Sequence, residues 1–197
     1  MPKVGVLALQ GDVREHALVI ESTGATWTPV RRPPDLDGID ALIIPGGEST
    51  TIGKLATIYG LVEPLRQAIT DGLPTFGTCA GMILLAAGVT EGAQAQLGVL
   101  DAIIERNAFG RQNESFEANL EIAGLKEPFR AVFIRAPWVA KVGAGVEVVA
   151  SVNDHPVMVR QGNILASSFH PELTRDDRIH TMLLRVVENR SRPNGER

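Results

Sequence analysis

A single cysteine, Cys79, stands in this chain of 197 residues, which excludes an internal disulfide and leaves no thiolate cluster for a metal. A reducing cytoplasm is the compartment expected from that usage. Excess positive charge is missing as well. Nineteen lysines and arginines face 23 acids, a net charge of −4 with no basic run, which argues against a nucleic-acid binder. No apolar run is long enough to span a membrane, and Met1-Pro2-Lys3 leads straight into a strand-like segment without the apolar core of a secretion signal. Internal repeats and low-complexity linkers are absent. What remains, 44% hydrophobic and 21% charged, is the composition of one globular domain large enough to bury a sheet between helices.

The first half of the chain alternates two periodicities. Val4-Gly5-Val6-Leu7-Ala8-Leu9 and Ala41-Leu42-Ile43-Ile44 are unbroken apolar runs, the signature of strands buried on both faces, and Thr26 to Val30 reads as a strand between them. Gln10-Gly11-Asp12 ends the first run. Val13 to Glu21 then reads as a helix with Asp12 as its N-cap, ended by Gly24. Pro33-Pro34-Asp35 is loop, Pro45-Gly46-Gly47-Glu48-Ser49-Thr50 halts the third strand, and Leu61 to Asp71 is an amphipathic helix. Strands alternating with helices predict a single-domain, three-layer α/β fold with a doubly wound, mostly parallel sheet. From about Gly98 the texture changes. Leu97 to Ile104, Ala118 to Ile122, Ala131 to Ile134, Val146 to Val152, Val157 to Val159 and Ile164 to Phe169 are short β-rich segments, read as antiparallel additions to the sheet. Arg175 to Asn189 is a last helix. The domain is expected over residues 1–190, with 191–197 a polar, disordered tail.

One stretch organises the rest: Leu73-Pro74-Thr75-Phe76-Gly77-Thr78-Cys79-Ala80-Gly81-Met82. An apolar strand runs into Gly-x-Cys-x-Gly and then into helical residues, the strand–turn–helix of a nucleophile elbow with cysteine in the place hydrolases often give to serine. A turn that sharp needs neighbours without Cβ atoms, and it aims a helix N-terminus at the thiol, which favours the thiolate. The plainer reading of Cys79 is a small buried hydrophobe. The pattern needs a base to mean more.

Of four histidines, His16 lies mid-helix, His155 in an Asp-His-Pro turn and His180 in the last helix, and all three read as structural or solvated. His170 differs because it leaves the strand ending at Phe169, at the carboxyl edge where open α/β sheets bind ligands. Glu172 follows two residues on, so in an extended His-Pro-Glu segment both side chains point the same way and the acid can orient the imidazole. A surface turn with a charge pair is the alternative. His-x-Glu is too short for a helical metal site, and neither a metal nor another cofactor is expected.

With these residues the sequence resembles the class I glutamine amidotransferases, which use a Cys-His-Glu triad. Five further stretches narrow the resemblance to the glutaminase subunits of pyridoxal 5′-phosphate synthase. They are Leu7-Ala8-Leu9-Gln10-Gly11-Asp12 with Glu15-His16, Pro45 to Thr51, Arg106-Asn107-Ala108-Phe109-Gly110-Arg111-Gln112, Phe133-Ile134-Arg135-Ala136-Pro137 and His170-Pro171-Glu172-Leu173-Thr174. The similarity spans roughly Lys3 to Asn189. It implies Cys79 as nucleophile, His170 as general base and acid, and Glu172 as its orienting partner. Gly46, Gly47, Glu48, Arg106, Ile134 and Arg135 would bind glutamine, with the N–H groups of Gly47 and Ala80 as oxyanion hole. It further implies a partner, a (β/α)₈-barrel synthase that receives the ammonia, in a hetero-oligomer. The loop of Gln10 and Gly11 is the expected coupling device, because it shares the carboxyl edge with Gly46-Gly47.

Plainer readings stand beside each of these positions. Pro45-Gly46-Gly47 can be a strand-ending turn, and it is no phosphate-binding Walker loop because the Gly-Lys-Ser/Thr ending is absent. Lone arginines are usually solvated. Rival functions are the glutaminase of another biosynthetic pathway, a cysteine peptidase on a related fold, and a non-catalytic regulatory subunit. Ammonia release from glutamine separates the last from the rest.

Overall fold

In the computed structural model, which describes residues 1–109 and 115–191, the chain runs β1 (Lys3–Leu7), α1 (Val13–Ser22), β2 (Thr26–Val30), β3 (Ala41–Ile44), α2 (Ser49–Ile58), α3 (Val62–Thr70), β4 (Thr75–Thr78), α4 (Ala80–Leu85), β5 (Ala86–Val89), β6 (Leu100–Glu105), β7 (Ser115–Leu120), β8 (Phe129–Ile134), β9 (Trp138–Val142), β10 (Glu147–Val152), β11 (His155–Gln161), β12 (Ile164–Ser167) and α5 (Arg178–Ser191). Seven strands form the main sheet in the order β10-β11-β12-β4-β3-β1-β2. The pairs β1–β2, β1–β3, β3–β4 and β4–β12 are parallel. The pairs β11–β12 and β10–β11 are antiparallel.

The apolar runs bury both faces because successive residues of a strand point to opposite sides. Leu42 and Ile44 pack with Ile52 of α2, Leu65 of α3 and Leu84 of α4. Ala41, Ile43 and Phe76 pack on the other face with Ile20 of α1, Ile179 and Leu183 of α5, and Phe133 of β8. Three layers follow. Phe76, Leu42, Ile43 and Ile44 are fully buried, each contributing about 1.5–3 kcal/mol by leaving water.

The later β segments divide. The last three join the main sheet as β10, β11 and β12, whereas β5-β6-β9 and β7-β8 form two separate small sheets. The three-stranded one is tied back where the Trp138 ring lies on His155, with centroids 3.6 Å apart and planes at 2°. Three elements escaped the sequence pattern. Helix α2 begins inside a segment read as turn, because Glu48 caps it. The Glu48 carboxylate accepts the N–H of Thr50 at 3.0 Å and of Thr51 at 2.7 Å, offsetting the weak helix propensity of Ser49-Thr50-Thr51. Strand β5, Ala-Ala-Gly-Val, carries a glycine in its interior, and β9 lacks alternation, its last three residues all being exposed. Asp12 occupies the N-cap position of α1, but its side chain makes no capping bond. The last helix starts at Arg178 rather than Arg175. Gly110-Arg111-Gln112 lie outside the described residues. So does the expected tail, apart from Ser191, which ends α5.

The parallel strands β1, β3, β4 and β12 release their following loops at one edge. Successive strands are added to opposite sides of β1, with β2 on one side and β3 and β4 on the other, and a crevice opens at such a switch between β1 and β3. The close approach of α4 to β3 sets the fit. A Cβ at Gly81 would sit 2.0 Å from the Ile44 carbonyl oxygen, and one at Gly77 2.7 Å from the Gly81 backbone. Gly81→Ala should therefore cost about 3 kcal/mol or more, and lower the melting temperature by roughly 6–12 °C in a chain of this size. Gly88→Ala should change it little, since its Cβ would meet only the end of Ile103 at 3.1 Å. Thermal unfolding by circular dichroism reads both, and equal melting temperatures for the two variants would refute this account of the elbow.

Candidate active site

Between β4 and α4 the chain turns on Cys79, whose φ of 47° and ψ of −100° are a conformation that residues with a side chain rarely adopt. Such a residue costs about 1–3 kcal/mol and persists only where its surroundings hold it. Here the Cys79 N–H donates to Ser167 O at 2.7 Å, the Ile83 N–H donates to Cys79 O at 3.2 Å, and Gly77 and Gly81 let the turn close. The thiol is 8% exposed, at the edge where β12 also ends.

His170 leaves β12 three residues after Ser167 and is anchored by its N–H, which donates to Val132 O at 2.8 Å. Its ring lines the same cavity as Cys79, whose side chain favours a proton on the imidazole. Nδ1 lies 2.7 Å from Glu172 Oε1 and 3.4 Å from Asp12 Oδ2. The segment after His170 is not extended, as the sequence suggested. Pro171–Leu173 is a 3-10 turn, and it swings the Glu172 carboxylate beneath the ring. Burial opposes a charged imidazole, but hydrogen bonds to Asp12, Cys79 and Glu172 outweigh it and hold His170 at about 12. Burial pushes the Glu172 carboxyl upward against the pull of the His170 bond. His170 and Glu172 together thus retain a proton that the unfolded chain gives up.

Cys79 and His170 open into a cavity of about 500 Å³. Of the other expected residues, Gly47, Glu48, Ala80, Arg106, Ile134 and Arg135 line it. Arg106 and its neighbour Asn107 arrive from the end of β6, and Ile134 and Arg135 from the end of β8. The Arg106 guanidinium lies 4.0 Å from Glu48 Oε1. Glu48 is held near 2 by the Thr51 hydroxyl and the first N–H groups of α2, so it is an anion at any ordinary pH. Gly46, Gln10, Gly11 and Glu172 stand behind the wall. Gly46 backs the His170 ring, 2.4 Å from Cε1 to where a Cβ would be. Gly46 O accepts the Asp12 N–H at 3.1 Å, and the Gly11 φ of 104° packs that loop so closely that a Cβ would reach within 1.8 Å of Gly46 O. Gln10 Oε1 accepts the Glu48 N–H at 2.8 Å.

Sequence reasoning missed several residues. Asp12, Ser49, Ile83, Asn107 and Leu173 also line the cavity. Asp12 carried a signal that pointed elsewhere, since an Asp before a helix reads as a cap. His16 and His180 are fully buried behind Glu172 and bonded to one another, Nδ1 to Nε2 at 2.9 Å. Asp12, His170 and Glu172 present atoms within 4.8 Å of one another, a spacing open to a metal ion. Both carboxylates, however, address the same His170 nitrogen, which accounts for the cluster by itself.

The model of the SNO glutamine amidotransferase family matches residues 6–189. The chain is 56% identical over 191 residues to the pyridoxal 5′-phosphate synthase subunit PdxT of Parafrankia sp. (strain EAN1pec), covering 95% of this chain and 94% of that protein. It is 58% identical over 183 residues to the protein of the same name from Pelotomaculum thermopropionicum (strain DSM 13744 / JCM 10971 / SI), covering 92% and 93%. A solved structure described as a glutamine amidotransferase superposes with a TM-score of 0.90 at 55% identity, over 94% of this chain and 98% of that one.

The retained proton has a consequence for stability. The imidazole titrates at 6.5 when unperturbed and is raised to about 12 in the fold. Its stabilising pairing is therefore complete below pH 6.5 and is lost as pH climbs toward 12. One proton bound only by the folded chain gives a slope of about 1.4 kcal/mol per pH unit above 6.5, or about 3–6 °C per unit in melting temperature. Thermal unfolding from pH 7 to 9 should show that decline, and His170→Gln should flatten it. An equal slope in both proteins would assign the decline to other groups.

Proposed function

The chain belongs to the SNO glutamine amidotransferase family, and from that membership we propose that it hydrolyses L-glutamine to L-glutamate and ammonia through a thioester on Cys79. The observation that carries the mechanism is the arrangement of His170, bonded to Glu172 through Nδ1 at 2.7 Å and set beside Cys79 at the wall of a cavity that also holds Glu48 and Arg106. Arg106 and Arg135 offer cations to the substrate α-carboxylate. Glu48 offers an acceptor to its α-ammonium group, and Ile134 flanks the aliphatic part.

The Cys79 thiolate attacks the side-chain amide carbon, and the carbonyl oxygen takes the electron pair. The N–H of Ala80 and, once the partner has docked, that of Gly47 receive that oxyanion, a contribution of about 3–4 kcal/mol per donor in the transition state. His170, protonated and oriented by Glu172, gives its proton to the amide nitrogen as the C–N bond breaks and ammonia leaves. The imidazole then takes a proton from water, the resulting hydroxide attacks the thioester, and glutamate departs as the thiolate is restored. Cys79 is the only thiol, so one alkylation per chain should abolish ammonia release and glutamine should protect. Cys79→Ala should lower kcat by about 10⁴-fold, and Glu172→Gln should lower kcat more than it raises KM. A Cys79→Ala enzyme keeping a tenth of its activity would refute the nucleophile.

The ammonia is received by a second subunit, a (β/α)₈-barrel pyridoxal 5′-phosphate synthase, in the cytoplasm. Two relatives carry the name of a subunit of that synthase, which supports the assignment of the acceptor. The loop of Gln10 and Gly11 couples the two. Its Gln10 Oε1 holds the Glu48 N–H, one peptide from the Gly46-Gly47 carbonyls and amides. Docking on that loop and on α1 turns the Gly47 N–H toward the oxyanion, at little steric cost for a glycine with φ of 151°. Steady-state kinetics with and without the synthase should show kcat/KM rising on docking by about a hundredfold to a thousandfold. Gln10→Ala should blunt the rise, and equal values in the free and docked enzyme would end the coupling idea while leaving the triad intact.

A further inference from the structure

Behind Glu172 lies a second layer of polar groups that the hydrolysis as written does not use. His16 of α1 is fully buried, its Nε2 is 3.1 Å from Thr78 Oγ1 and 3.6 Å from Glu172 Oε2, and its Nδ1 is 2.9 Å from His180 Nε2 of α5. Phe76 meets both imidazoles edge to face, with centroids 6.4 Å from His16 and 5.9 Å from His180, and fixes the ring planes. Two atoms of this layer, Glu172 Oε2 and His180 Nδ1, have no hydrogen-bond partner among the described residues.

The inventory of donors decides the tautomers. Burial, with the fields of His180 and His170, keeps His16 well below its usual range, and burial lowers His180 to about 4, so each ring carries one N–H. If His16 carried it on Nδ1, the Nε2 lone pair would face the Glu172 carboxylate, and His180, accepting at Nε2, would bury an Nδ1–H with no acceptor. If His16 carries it on Nε2, that N–H points between Thr78 Oγ1 and Glu172 Oε2. Nδ1 then accepts from His180 Nε2–H, and apart from Glu172 Oε2, which lacks a hydrogen-bond partner in either case, only a bare ring nitrogen is left unpaired. An orphaned buried donor plus a lone pair against a charge costs more than one orphaned acceptor. Both N–H dipoles therefore point toward Glu172.

We propose that His16 and His180 form a polarised two-imidazole relay that holds the Glu172 carboxylate ionised and aligned on His170, making them positioning residues of this active site. The inference rests on the glutaminase reading above. Burial and the nearby Asp12 carboxylate push a proton toward Glu172 while the His170 bond opposes them. The His16 N–H, 3.6 Å from Glu172 Oε2, adds to that opposition, and an acid that took the proton could not stabilise the imidazolium. Two arginines on elements beside the turn, among the described residues, are paired with other acids. Arg130 of β8 pairs with Glu117 on the outer side of its hairpin, and Arg178 of α5 pairs with Asp176. Thr78 gives the relay a second hold, because it precedes Cys79 and ties the elbow to the same imidazole.

The test has two arms. Long-range ¹⁵N spectra of the histidine rings in the full chain, which has four histidines, should show His16 and His180 as neutral Nε2–H tautomers from pH 6 to 8. An Nδ1–H tautomer at His16 would overturn the proposal without reference to activity. In the second arm, His16→Phe should move the acid limb of the kcat/KM profile up by about half to one pH unit, the worth of an N–H facing a carboxylate just beyond hydrogen-bond reach, with KM within about twofold. His16→Gln, which returns an N–H near the same place, should restore the limb, and His180→Phe should move it by less in the same direction. An unmoved limb in His16→Phe, or His16→Gln as impaired as His16→Phe, would reduce both histidines to packing. Should His16→Phe not be recovered folded, the spectra and His180→Phe decide. Loss of the glutaminase reading would show instead as absent ammonia release by the unaltered protein, which leaves the spectral arm readable.

Discussion

The structure depends on one close approach, that of α4 to the end of β3. Gly81 lies so near the Ile44 carbonyl that no Cβ fits, and Gly77 in turn accommodates Gly81. With those two contacts made, the chain between them has no room for an ordinary turn. Cys79 is driven into a positive φ and its thiol is lifted out of the sheet. The strain is local, and the rest of the core overdetermines it, with apolar strands buried on both faces and Cys79 N–H bonded to Ser167 of the next strand.

Around that point the parallel sheet supplies three loops and the small sheets supply the opposite wall. The ends of β1, β3 and β12 bring Asp12, Gly47 and His170 to the elbow. The ends of β6 and β8 bring Arg106, Asn107, Ile134 and Arg135 across the cavity. The division fits the chemistry proposed for each side. Groups that move protons and stabilise developing charge sit on the rigid, buried sheet edge. Of the groups proposed to recognise a zwitterion, Arg106, Ile134 and Arg135 come from the small sheets, and Glu48 follows β3 of the main sheet.

Electrostatically the site runs from exposed Glu48 through half-buried Asp12 to fully buried Glu172. Glu48 is spent on capping α2 and so is held as an anion. Asp12, at a cap position, leaves its helix uncapped and faces His170 instead. The Glu172 carboxylate, without such surface company, draws on the imidazole row behind it. Each acid is thus placed by a different element, and their differing surroundings set different proton affinities from one side chain type.

The sequence by itself determined the central sheet, the elbow and the pair that follows β12, because those signals are local. Apolar runs of Val4 to Leu7 and Ala41 to Ile44, glycines flanking Cys79 at two-residue spacing, and His170 two residues from Glu172 are legible within a few positions. Only the tertiary structure decided the rest. The reading of β7 and β8 as additions to the main sheet failed because period-two alternation says that a strand exists, not which strand it pairs with. The 3-10 turn at Pro171 delivered the contact expected of an extended segment by another route. Asp12 with His170, and His16 with Thr78 and His180, are joined over long sequence separations, 164 residues in the last case. A buried imidazole on a helix looks the same in sequence whether it fills space or faces a carboxylate. Its partners exist only after the helices α1 and α5 have closed on the same face of the sheet.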